Sequence, residues 1–155
     1  MLNKYSNLRD IFVHPESFHR DPLILERARQ TVSGALGTLP LIVFTWFLYS
    51  QVGLELLLDP VMYAGMMLAV TPLISYFHPN HHWAANWAIA SLMLGITWTG
   101  LLTGGLYSPI IWWCLPVPLL AGNTSGPWAA KGWSMATVCA LAFVWAWIPR
   151  GIEPG

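Results

Sequence analysis

Charge is almost missing from most of this chain. Residues 31–148, 118 of the 155, hold three formally charged side chains: Glu55, Asp59 and Lys131. A soluble domain cannot cover its surface with so few charges, whereas a chain solvated by lipid needs almost none. The formal net charge is zero and no polybasic tract occurs, so nucleic acid is not an expected partner. Cysteine is scarce too. Cys114 and Cys139 both sit in apolar runs and read as small hydrophobes, not as a disulfide or a metal pair. There is no H-E-x-x-H, no C-x-x-C and no glycine loop that would cradle a phosphate after a strand. With no paired acid and base and no activated nucleophile, an enzyme is not expected, nor is a metal site. The spans lack both an intramembrane charge pair and an inverted repeat, which argues against a transporter. The N-terminus has no early apolar run, so it does not read as a signal peptide.

What is there is apolar and periodic with helices, and the expected fold is all-α: a polytopic transmembrane helical bundle of about five spans. Residues 1–30 form a polar arm carrying Lys4, Arg9, Arg20, Arg27 and Arg29. Asp21-Pro22 reads as a helix cap followed by a first-turn proline, so a short helix is expected from Leu23 that can continue into the first span. The transmembrane domain is placed at 31–148. Its spans are expected near residues 31–50, 61–77, 83–102, 109–121 and 128–148, most of them close to the roughly 20 residues a bilayer requires. Pro72 should kink the second. Pro116 and Pro118 should break the fourth. Residues 122–127 read as an inner loop, and residues 149–155 as a short outer tail.

The basic arm places the N-terminus in the cytoplasm, and an odd number of spans places the C-terminus outside. Trp46, Tyr49, Trp98, Trp112, Trp113, Trp145 and Trp147 then fall near one interface. Trp83, Trp87, Trp128 and Trp133 fall near the other, as interfacial aromatics should. The expected location is a bacterial inner membrane, cytoplasmic or intracytoplasmic. A stripe of small residues, Ala84, Ala88, Ser91, Gly95 and Thr99, should let the third span approach a neighbour closely.

Two groups of residues invite chemistry. His78, His81 and His82 have the i, i+3, i+4 spacing of axial ligands for a pigment or haem, although Pro79 interrupts the run and all three are expected in one loop, residues 78–83. The ordinary reading is interfacial histidines. His14, His19, Glu55 and Asp59 read as surface residues. The second group is Gly104, Gly105, Tyr107, Ser108, Pro109, Trp112 and Trp113, where a glycine turn meets a broken span. Irregular backbone at membrane depth requires a protein-lined pocket or a tight internal turn. A pocket there would suit a flat, apolar, carbonyl-bearing ligand such as a quinone, with tryptophan stacking and glycine amides donating.

The stretch Gly104-Gly105-Leu106-Tyr107-Ser108-Pro109-Ile110 resembles the G-G-x-x-N-P-F heptad in the membrane sensor region of bacterial histidine kinases of the redox-responsive RegB/PrrB type. Gly104, Gly105 and Pro109 match, while Ser108 stands for asparagine and Ile110 for phenylalanine. The resemblance implies a ubiquinone-responsive membrane fold. It does not carry over kinase activity, because such kinases follow a sixth span with an ATP-binding domain that this sequence does not contain. Two functions are therefore expected to compete. One is a non-catalytic subunit packed in a larger energy-transducing or photosynthetic membrane complex, among lipid and other membrane subunits, contacting quinone or pigment. The alternative is a stand-alone quinone- or lipid-sensing module.

Overall fold

A computed structural model describes residues 8–19 and 21–147. The expected outer tail, the end of the last span at Ile148 and the side chain of His19 lie outside the described residues. Every regular element described is helical: α1 Pro22–Val52, α2 Leu58–Ala69, α3 Thr71–Phe77, α4 His81–Leu102, α5 Val117–Ser125 and α6 Pro127–Trp147. Short 3-10 turns at Leu8–Phe12, Pro15–His19, Glu55–Leu57, Gly105–Tyr107 and Ile111–Cys114 connect them. Four helical stretches are long and apolar enough to cross a membrane: Pro22–Val52, Glu55–Phe77, His81–Leu102 and Pro127–Trp147.

α1 begins as its residues dictate. Asp21 accepts a hydrogen bond from the Leu23 amide at 2.8 Å and Pro22 fills the first turn, where its missing N–H costs nothing. The helix then runs unbroken past Gln30 and through Pro40 to a left-handed Gly53 cap. Pro72 produces the expected interruption, with α2 ending at Ala69 and α3 starting at Thr71. The indole of Trp87 donates to the Met67 carbonyl at 2.6 Å, giving a partner to a backbone oxygen at the broken helix end.

Consecutive spans pack antiparallel, which leaves α4 and α6 parallel to each other. A Cβ at Gly65 would lie 2.8 Å from the Ile42 side chain, so α1 and α2 touch at mid-height. A Cβ at Gly95 would lie 2.6 Å from that of Ala64, so the small-residue stripe on α4 does admit α2 closely. Gly100 receives Ile111 in the same way, at 2.9 Å. At the far end of α4 the Trp133 indole donates to Asn86 Oδ1 at 2.8 Å, which levels α6 with α4. The main core joins Ile89, Met93, Ile111, Cys114, Val117, Ala121 and Val144.

The fourth expected span takes a different form. Residues 111–114 make a 3-10 turn, and Pro116 and Pro118 start α5 at its cap and first turn instead of interrupting a helix. A proline is tolerated there because first-turn amides have no intrahelical partner. α5 then continues to Ser125, so the loop expected at 122–127 is helical over most of its length and the connection to α6 narrows to Gly126. This broken segment still travels the height of the bundle. It leaves the Gly105–Tyr107 turn at one end and reaches Gly126 at the other, where a Cβ would lie 3.3 Å from Arg27 Nη1 near the start of α1.

The N-terminal arm folds against that same end. Asp10 is 0% exposed, and Arg29 grips it with two hydrogen bonds, Nε to Oδ1 at 2.8 Å and Nη2 to Oδ2 at 3.1 Å. Val13 buries beside Ala28 and Val32 in a second small core. Removing Asp10 would break both of these charge-assisted hydrogen bonds to the partly exposed Arg29, at a cost of about 3 kcal/mol.

Candidate functional site

The glycine turn is built by its backbone. Gly104 (φ 113°) and Gly105 (φ 61°) both sit at positive φ, which side-chain-bearing residues rarely adopt. Ser108 follows, 1% exposed, and its hydroxyl is committed inside the turn. It hydrogen-bonds the Thr103 hydroxyl at 2.5 Å and accepts from the Ile110 amide at 3.3 Å. Serine at this position therefore works as a turn-forming residue. Tyr107 points away from the bundle, 89% exposed, and Trp112 is exposed as well.

The concave feature at this end lies beside the turn. A cleft of about 260 Å³ opens between α1 (Ile42, Thr45, Tyr49), α2 (Pro60, Val61, Ala64), α4 (Leu92, Gly95, Ile96, Thr99) and the broken segment (Ile110, Trp113). Of the seven residues singled out in the sequence around the glycine turn, Trp113 alone lines it. Gly104, Gly105, Tyr107, Ser108, Pro109 and Trp112 shape or flank the turn instead. The lining is mostly apolar, with the side chains of Thr45, Tyr49 and Thr99 supplying hydroxyls. None of these three hydroxyls hydrogen-bonds another described residue. Such a lining, apolar walls with a few polar groups, is typical of sites that orient a small ligand.

The three histidines do not share one loop. His78 ends α3 in an extended conformation, and its Nδ1 accepts from the Asn80 amide at 3.1 Å. Asn80 caps α4 by accepting from the His82 amide at 3.0 Å, so His81 and His82 occupy the first turn of that helix. The His81 and His82 rings lie 4.0 Å apart between centroids. His81 is buried and the other two are more open. Among the described residues, no group of three or more His, Cys, Asp or Glu side chains is placed to hold a metal ion.

Sequence reasoning did not find Thr45, Tyr49 or Thr99. Thr45 and Tyr49 lie one turn apart on α1 and Thr99 lies on α4, so only the register of α1 against α2 and α4 brings the three together. It also did not find the Asp10–Arg29 pair, whose partners lie 19 residues apart, one in the arm and one on α1. Comparison with family models, with curated proteins and with solved structures returns no match to this chain.

Proposed function

We propose that this chain is a non-catalytic, multi-pass subunit of a larger assembly in a bacterial inner membrane, energy-transducing or photosynthetic. In this reading it crosses five times, the broken 109–125 segment being the fourth crossing, with the N-terminus cytoplasmic and the C-terminus outside. The observation that carries the subunit reading is the outward face of α1. A hollow of about 680 Å³ lies along Leu36, Leu39, Pro40, Val43, Phe44, Trp46 and Phe47. Gly34 and Gly37 lie just before it on the same helix, and a Cβ added at either would meet nothing within 4 Å. Glycine on an open helix face permits the close backbone approach that holds membrane helices together. Purification from native membranes in mild detergent, read by native mass spectrometry, tests this. Fixed-stoichiometry copurification with other membrane proteins is expected. A lone chain at every detergent concentration tried would contradict it.

The outer cleft favours a second reading, a stand-alone quinone-sensing module. Tyr49, Thr45 and Thr99 offer hydroxyl donors to quinone carbonyls, and Trp113 offers an aromatic face. The resemblance of the Gly104–Ile110 turn to redox-responsive sensors supports the same ligand class. Pigment or haem at His81 or His82 would add a visible absorption band to the purified protein.

A further inference from the structure

We propose that the turn between α5 and α6 binds the phosphate of an anionic phospholipid headgroup, held by Arg27 and Lys131. This requires only that the Arg27 end of the bundle lie at a membrane interface, and it stands whether or not the chain is a subunit of a larger assembly.

Four features meet at this turn. α6 is 21 residues long and starts at Pro127 with no acidic residue in its first turn, so its unpartnered amides and dipole present positive potential there. Gly126 caps it at φ 95° and ψ 179°, a conformation open essentially to glycine alone, and this brings the backbone within reach of the half-buried Arg27 guanidinium. The Arg27 guanidinium forms no ion pair or hydrogen bond with a described residue. Glu26, the adjacent acid, is exposed and forms no ion pair with it, while Arg29 is the arginine that Asp10 engages. Lys131, one turn into α6, holds its ammonium 4.4 Å from the Trp128 ring centroid and has no carboxylate partner among the described residues. Ser125, the residue before the cap, is 8% exposed, and its hydroxyl is buried in the turn without a partner.

Two cations without a carboxylate partner among the described residues, a helix start and a buried hydroxyl without a partner there give this turn the chemistry of an anion site. A buried hydroxyl left unpaired is unfavourable, and a phosphate oxygen would satisfy it while the guanidinium takes two more in its planar fork. Trp128, 80% exposed, belongs at the headgroup level, which sets the depth of the phosphate. A lipid phosphate and a free phosphate share this chemistry, and they are separable by experiment.

The full-length chain is delipidated, exchanged into mixed micelles of phosphatidylcholine and phosphatidylglycerol, and examined by native mass spectrometry. Preferential retention of phosphatidylglycerol is expected, falling about fivefold in Arg27→Gln and about fivefold in Lys131→Gln, as removal of one interfacial cation should give. Glu55→Gln, at the opposite end, should leave retention unchanged. Inorganic phosphate at millimolar concentration displacing the lipid from the wild type, but having no effect in Arg27→Gln, would support a phosphate-selective site open to both sources. Equal retention of the two lipids, or phosphatidylglycerol retention unchanged in both cation variants, would overturn the proposal. Should Arg27→Gln lose its helical circular dichroism, Lys131→Gln and Ser125→Ala decide the matter alone.

Discussion

The two ends of the bundle solve the same problem by different means. Each must turn a chain that has just crossed an apolar slab and must satisfy the backbone it exposes. At the Arg27 end the work is done by charge: a bidentate Asp10–Arg29 pair fastens the arm, and a second guanidinium lies against Gly126. At the glycine-turn end it is done by neutral groups, two positive-φ glycines and the Thr103–Ser108 hydroxyl pair. The neutral end keeps an apolar cleft beside it. The charged end keeps Arg27 and Lys131 without a carboxylate partner among the described residues. Any ligand at the first should be apolar with carbonyls, and any ligand at the second should be an anion.

The largest effect that separates the ends should come from Asp10→Ala. It removes two charge-assisted hydrogen bonds between the arm and the partly exposed Arg29 and is expected to destabilise the protein by about 3 kcal/mol, read as a lowered midpoint in denaturant or SDS titration. A shift under 1 kcal/mol would mean the arm is not part of the cooperative unit. Next in size is a comparison of two glycines. Gly126→Ala forces an L side chain into a forbidden conformation, about 1–3 kcal/mol, and also pushes on Arg27. Gly104→Ala meets open space and suffers the backbone strain alone. The first should therefore cost more by the same measurement, and equal costs would show that Arg27 moves freely. Smaller again is Ser108→Ala, which leaves the Thr103 hydroxyl without its side-chain partner and should cost about 1 kcal/mol. Smallest on stability is Tyr49→Phe. It should leave the denaturation midpoint unmoved while weakening retention of an added quinone in the second reading of the cleft. Undiminished quinone retention would remove Tyr49 from that role.

Much of the architecture was legible because lipid solvation writes long apolar runs into a sequence. Asp21-Pro22 announced the start of α1, Pro72 the break after α2, and the Gly95 stripe the close approach to α2. The broken segment was harder to read. Pro116 and Pro118 signal a break in either of two ways, as interruptions inside a helix or as the start of a new one. Which applies depends on the 3-10 turn before them, which local propensity does not reveal. The same ambiguity hid the helical Gly122–Ser125 stretch, whose Gly-Asn-Thr-Ser composition reads as loop but which packs along α6, a Cβ at Gly122 lying 3.4 Å from Ala130. Site residues were the least legible. Glycines and tryptophans near residue 105 drew attention as a cluster in sequence, whereas Thr99 joins Thr45 and Tyr49 only in space.

The claim on which the contrast between the ends rests is that the broken segment carries the chain from one membrane face to the other. Single cysteines at Gln30, Tyr107 and Asn123, in a background with Cys114 and Cys139 replaced by alanine, can be probed in sealed right-side-out vesicles with a membrane-impermeant thiol reagent. The account predicts labelling at Tyr107 from outside and labelling at Gln30 and Asn123 only after the vesicles are opened. Labelling of Tyr107 and Asn123 from the same side would show that the segment re-enters without crossing, and the five-crossing account would be wrong.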